Sequence, residues 1–392
     1  MAQERLGALG YLGLVKETVA GTALTPTDYI PLIDETLVTN INMGTSEVAV
    51  GQRYKDYASF AGVRDHLGDI TTVFEPNTAG KLFDMLLTQG SPTGAGPYTH
   101  PFTLGLSNSY TLDVNAGGDI VFRFFGAQAE EISPVFAGDE IQAKLKISAL
   151  GSFSVRTLSG IPTGTGPYTM VFDATYDAAP TTGLVVGDLI RVTKAAGTTI
   201  DCTVATVVGG TSITTTTDVT SAALGDFVSL RPATPSYTNL QRLLWPTTQF
   251  CFGATATAAL AAAQTRLERG STWAIINSFE SNKGAQRSGS YDPASLPRTT
   301  GQITAKLKMF FDSPSQVAKF LSKTNQALVI RHFSSTGYEV RITIDQFNYK
   351  TGGKPLVKAK EILYHEFDLV PVYNVTNTEA FSVTVLSALP TI

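Results

Sequence analysis

The chain has 392 residues, enough for two or three domains, with 16% charged residues, 35 glycines and a formal net charge of −4. With no block of Lys and Arg, that balance excludes a tight reader or condenser of nucleic acid, which needs many cationic contacts to phosphates. Two cysteines, Cys202 and Cys251, with no CxxC pair, exclude a disulfide framework and read as small buried hydrophobes of a reducing, intracellular protein.

From the N-terminus, Met1 to Arg5 lacks the basic-then-apolar pattern of a signal peptide. Leu37 to Ile41 reads as a strand, followed by a long polar loop from Asn42 to Gly62. Gly68 to Phe74 is a second strand, running into Glu75-Pro76-Asn77 and a helix through Leu87. Pro76 sits where a first helical residue needs no N–H partner, and Ala79, Leu82, Phe83 and Leu86 form one apolar stripe. Beyond the turn Ala116 to Gly118, Ile120, Phe122 and Phe124 alternate with Val121 and Arg123. In the next strand Ile141, Ala143, Leu145 and Ile147 alternate with Glu140, Gln142, Lys144 and Lys146.

Residues 160–235 change character, to short Thr- and Val-rich runs with frequent turns. Val185 to Val192, Cys202 to Val208, Ser212 to Thr216 and Asp226 to Leu230 read as strands of a small barrel or sandwich. Gly164 to Thr169 nearly copies Gly94 to Thr99, as turns leading into strands. Phe250 to Ala263 is the most apolar stretch, but bilayer crossing takes about 20 residues, so no membrane insertion is expected. Ala254 to Arg269, closed by Gly270, reads as a connector helix.

The opening plan then recurs. Ile275 to Phe279 precedes a polar stretch, and Gly301 to Lys308 leads through Asp312-Ser313-Pro314 into a helix to Lys323. Val317, Phe320 and Leu321 repeat the helical stripe, and Lys81 and Lys319 stand at the same interval from Pro76 and Pro314. Val340, Ile342 and Ile344 alternate with Arg341 and Thr343, and Val357 to Leu363 is a further strand. The expected fold is mainly β. Two tandem α+β units, each a sandwich or barrel with a flanking helix, occupy 1–159 and 236–392, and an all-β module is inserted at 160–235.

No chemistry-bearing motif emerges. GxSxG, GxxxxGK[ST], HExxH and spaced Cys/His sets are missing, so no catalytic, metal-binding or cofactor-binding residue is assigned. His66, His100, His332 and His365 fall in separate elements, and Asp65-His66 reads as a solvated pair. The acidic residues around Ser133 to Gly138 lack the regular oxygen spacing of a calcium loop.

Lys16-Glu17-Thr18, Gly21-Thr22-Ala23 and Pro26-Thr27, followed by Pro31, Glu35 and Leu37, resemble the opening of siphophage major tail tube proteins. Tyr98-Thr99-His100, Ser109 to Leu112 and Gly117 to Ile120 extend the likeness over about the first 155 residues. The resemblance implies a structural virion protein of the tail, assembled in the host bacterial cytoplasm, with no enzymatic role and no cofactor. Its partners would be its own copies, a tape measure protein in the lumen, tail terminator and distal tail proteins, and viral DNA in transient contact. The family's long loop would reach the next ring. Here that loop carries Asn42, Arg53, Tyr54 and Tyr57, and its counterpart in the second unit carries Asn282, Arg287 and Tyr291. Glu140, Gln142 and Lys144, with Glu339, Arg341 and Asp345, are the lumen-facing candidates. If six units form a ring, two units per chain imply three chains. Another tail ring component, such as a hub or terminator, and a β-rich carbohydrate-binding or adhesin protein are the alternative readings.

Overall fold

The computed structural model describes residues 10–47, 56–175, 177, 179–237, 241–265, 267–268, 270–279, 292–310, 315–334, 337–351 and 364–392. The protein is mainly β, with large antiparallel sheets. The first half runs β1 (Tyr11–Lys16), β2 (Asp28–Ile30), β3 (Leu32–Glu35), β4 (Val38–Glu47), β5 (Asp56–Val73), α1 (Pro76–Asp84), β6 (Thr88–Gln89), β7 (Tyr98–Thr103), β8 (Tyr110–Asn115), β9 (Phe122–Ala137), β10 (Glu140–Ala149) and β11 (Gly151–Phe153). A middle set follows: β12 (Val155–Thr157), β13 (Tyr168–Val171), β14 (Leu189–Thr193), β15 (Thr199–Val208), β16 (Ser212–Thr215) and β17 (Phe227–Leu230). The second half holds β18 (Thr248–Gly253), α2 (Ala256–Ala261), β19 (Thr272–Phe279), β20 (Arg298–Phe310), α3 (Ser315–Leu321), β21 (Gln326–Phe333), β22 (Glu339–Tyr349), β23 (Tyr364–Pro371) and β24 (Phe381–Ser387).

Strand pairings repeat between the halves. In the first, β5 pairs with β4 and β10, and β10 with β9. In the second, β20 pairs with β19 and β23, and β23 with the end of β22. Likewise β1–β8–β9–β11 has the same order of pairing as β18–β21–β22–β24. Each half places its helix after the strand equivalent to β5, with Pro76 in the first turn of α1. One apolar core, including Leu82, Phe83, Ile132, Trp273, Leu307 and Ile342, runs through both halves.

The long strand β9 serves two sheets. Its first residues pair with β8 and β11, its later ones with β10. Gly126 lies at the changeover with φ +63, and a Cβ there would stand 2.7 Å from Leu150. Phe122 therefore points outward, 44% exposed, while Arg123 is buried.

Three expectations change. The polar loop at 42–62 is a hairpin of two long strands, β4 and β5, whose connection at 48–55 lies outside the described residues. The connector helix stops at Ala261, because Thr265 and Leu267 form bridges with Phe250 and Met309 instead of continuing a helical ladder. Thr255 caps its start, accepting from the Ala258 N–H at 3.2 Å. The separate six-stranded sheet begins at β12, inside the segment assigned to the first unit, since Val155 to Thr157 pair with Phe227 to Ser229. The strand expected at 357–363 and the helix start at Ser313-Pro314 lie outside the described residues.

The middle sheet has its own core around Met170, Ile190, Val204, Ile213 and Val228, joined by Tyr11, Val121 and Phe153 from the first half. Cys202 lies in this core and Cys251 under α2; both are free and buried, and burial pushes both thiols up, Cys202 to about 12.

Candidate assembly interface

Antiparallel strands leave unpaired N–H and C=O groups at every sheet border, and those groups seek a partner. Within this chain one such border is already satisfied. β9 of the first half pairs with β19 of the second, Ile132 opposite Ile275 and Glu131 opposite Ile276. The result is one open sheet in the order β4–β5–β10–β9–β19–β20–β23–β22, four strands from each half. β3 lies beside the far end of β5.

Polar side chains clamp that joint. Asn277, in the buried phase of β19, donates from Nδ2 to the carbonyls of Leu86 at 2.7 Å and Gly105 at 3.3 Å. Arg298 donates to the carbonyls of Ala129 at 2.8 Å, Met85 at 3.1 Å and Asn277, and to Ser107 Oγ. Its guanidinium also stacks over Phe279 at 4.0 Å. Burial pulls the Arg298 pKa down to about 10, opposed by Glu130. Neither residue belongs to a recognisable motif. The available sign was Asn277 itself, a polar residue in the apolar phase set by Trp273 and Ile275.

One face of the eight-stranded sheet packs on the core and the other is open. In β10, Ile141, Ala143, Leu145 and Ile147 are buried, while Glu140, Gln142, Lys144 and Lys146 face away. Asp69, Glu131, Ser133, Lys144 and Lys146 surround a shallow depression of about 200 Å³. Cations here are neutralised by neighbours. Lys144 meets Asp69 at 2.8 Å, Lys146 meets Glu130 at 2.6 Å, Lys306 meets Glu366 at 3.3 Å and Lys308 meets Glu268 at 2.5 Å. Hydrogen bonds to Asp69, Glu130 and Glu268 raise the pKa of Lys144, Lys146 and Lys308. Arg242 pairs with Glu140 at 3.3 Å.

The second-half lumen candidates do not share this open face. Glu339, Arg341 and Asp345 lie where β22 pairs with β21 and β24, outside the open sheet. Glu339 is buried between Arg331, at 2.6 Å, and Arg341, and Asp345 is also buried. Alternation identified a face of β22 but not which sheet that part of the strand joins. The positions equivalent to β10 belong to β23, where Glu366 and Asp368 stand opposite Lys308 and Lys306.

Of the proposed inter-ring residues, Asn42 is exposed on β4 and donates to the Val63 carbonyl at 3.1 Å and Asp65 Oδ2 at 3.0 Å. Tyr57 lies on β5 rather than in a loop, and Arg53, Tyr54, Asn282, Arg287 and Tyr291 lie outside the described residues. His66 is not solvated. It is buried on β5, bonding Thr39 Oγ1 through Nδ1 at 2.9 Å and Asp292 Oδ1 through Nε2 at 3.2 Å. Burial works against the Asp292 charge, yet His66, Arg64 and Arg156 together hold its carboxyl below the usual range. The base of the first hairpin is thereby tied to the segment entering β20.

A separate clamp holds the middle sheet. Arg123 makes a fork with Asp113, Nε–Oδ1 2.7 Å and Nη2–Oδ2 2.8 Å, and reaches Asp188 Oδ2 at 2.5 Å and the Gly183 carbonyl at 3.1 Å. Asp188 also accepts from Thr25 Oγ1 at 2.7 Å and the Val185 N–H at 2.8 Å. Burial pushes the Asp113 carboxyl up against the opposing pull of Arg123. Among the described residues no helix is long and apolar enough to cross a membrane, which leaves strand-based crossing unaddressed. A scan against protein-family models finds no match, and neither does a search of curated proteins.

Proposed function

We propose that this chain is the major tail tube subunit of a long-tailed bacteriophage, closing into rings of three chains that stack as a hollow cylinder. The observation that carries this reading is the β9–β19 joint, where two halves of equivalent pairing meet border to border. Repeating that contact between chains would bring the end of β22 to β4 of the next copy, and three copies close six half-chains into a ring without loose borders. The resemblance of residues 14–37 to tail tube openings points the same way.

In this reading the open face of the eight-stranded sheet lines the channel. Its lysines are matched by carboxylates, which suits a wall that DNA slides along, since sticking requires uncompensated cations that displace counterions. The same lumen would hold a tape measure protein during assembly. The ends of the stack would meet terminator and distal tail proteins. The β4–β5 hairpin is the element suited to reach an adjacent ring, and the middle sheet would decorate the tube three times per ring.

The test is negative-stain imaging of the purified full chain, combined with mass measurement of its particles. Hollow rings or tubes of uniform bore with three chains per ring are expected. Compact monomers at high concentration, or six chains per ring, would sink the proposal.

A further inference from the structure

The two helices follow equivalent strands, yet their surroundings differ sharply. In α1, Ala79, Leu82 and Phe83 are at most 1% exposed. At the same interval from the second helix-starting proline, Val317 and Phe320 of α3 are half-buried and Leu321 is 72% exposed. No residue of α3 is fully buried.

The second half supplies the cover over α1. The helix packs against β22 and β24, Gly80 lies so close beneath Ile392 that a Cβ has no room, and the Ala388 N–H donates to Asn77 Oδ1 at 3.1 Å. Asn277 and Arg298 hold the carbonyls of Leu86 and Met85 just past its end. Thus α1 is seated on β22 and β24 of its neighbour, while Asn277 of β19 holds the carbonyl of Leu86 just beyond the helix.

Those three strands have counterparts in the first half, namely β4, β9 and β11. Between them lies a groove of about 430 Å³, lined by Leu37, Val38, Phe122, Phe124, Ser152 and Phe153 among others. Val38 is 48% and Phe122 44% exposed, which is costly surface for two large apolar side chains. The groove therefore corresponds to the seat of α1, and among the described residues no helix fills it.

We infer that α3 of a second copy of this chain occupies the groove, its Val317, Phe320 and Leu321 covering the exposed Val38 and Phe122. This rests on the ring reading and gives that ring its inter-chain contact. Among the described residues each chain has one uncovered helix in its second half and one empty seat in its first, so the contact is head-to-tail and self-propagating until the ring closes. The intrachain joint supplies the geometry. The same strands that seat α1 are the ones whose counterparts stand open beside β4.

The experiment uses the full chain in three forms: Leu321→Glu, Phe122→Glu and, as a control on the exposed turn before β24, Val375→Glu. Sedimentation across a concentration series should show ring formation weakened about 100-fold or more by each of the first two, and unchanged by the third. In parallel, chains carrying Leu321→Cys are mixed with chains carrying Phe122→Cys and treated with a short bis-maleimide. Cross-linked pairs joining one chain of each kind are expected, and this arm remains informative should either Glu variant fold poorly. Rings that persist in both Glu variants without cross-linked pairs overturn the helix contact while leaving the ring reading intact. A parent chain that stays monomeric overturns both.

Discussion

Two carboxylates, Asp113 and Asp188, converge on the Arg123 guanidinium in a place where Arg123 is 1% exposed. Such a cluster adds little net stability when intact, but breaking it strands like charges in low dielectric. Arg123→Met should therefore destabilise the fold by about 3–5 kcal/mol in urea unfolding. Arg123→Lys should recover little, because a lysine cannot reproduce the fork. His332 provides a second residue-scale case. Trp273 Nε1 donates to its Nε2 at 3.1 Å, so Nδ1 carries the proton and donates to Thr248 Oγ1 at 2.9 Å. Burial lowers its pKa to about 3, from an ordinary value of 6.5. As pH falls below 6.5 the unfolded chain takes up the proton and the folded one refuses it, costing about 1.4 kcal/mol per pH unit until about pH 3. Between pH 6.5 and 5 the loss of stability should be about 2 kcal/mol smaller in His332→Gln than in the parent, read from urea midpoints. Neither cluster was legible beforehand. Arg123 sat in the phase of β9 opposite Phe122 and Phe124, and nothing in the alternation says that the middle sheet buries that phase too.

At the scale of elements, β9 shows why single strands resist reading by alternation. It changes sheets near Gly126, whose left-handed backbone and proximity to Leu150 leave no place for a side chain. Gly126→Ala should cost about 1–2 kcal/mol from backbone strain alone and more from the Leu150 contact, measurable as a lowered Tm. β10 was legible because all ten of its residues belong to one sheet, with one dry and one open face. β22 was not, since Glu339 and Arg341 look like solvent-facing residues, yet Glu339 is buried and pairs with both Arg331 and Arg341. α1 was legible from Pro76 and its stripe, whereas Glu75, poor as a cap, makes no cap at all. Its Oε2 instead accepts the Gln241 N–H at 2.8 Å, anchoring the connector to the second half. The Ala-rich segment after Phe252 has helical propensity throughout, but propensity carries no information about Phe250 of β18 and Met309 of β20, which bridge to Thr265 and Leu267.

For the whole molecule, the duplicated plan was readable from Pro76 and Pro314, the two helical stripes and the strands flanking them. What could not be read was how the copies meet, because border pairing involves backbone groups that every residue carries. The joint itself depends on Asn277 and Arg298, which no spacing rule singles out. The proposed ring predicts a concentration-dependent species of three times the chain mass in sedimentation of the parent chain.

The middle sheet starts at Val155, and its last strand ends at Leu230, one residue past Ser229, which stands opposite Val155 on the neighbouring strand. Exit and entry are thus roughly 5 Å apart, a gap that a turn of a few residues bridges. A domain whose own termini lie side by side would span that gap, provided that it also covered Tyr11, Val121 and Phe153 and offered Arg123 a carboxylate in place of Asp188. In the proposed three-chain ring such a cargo would recur three times around the circumference.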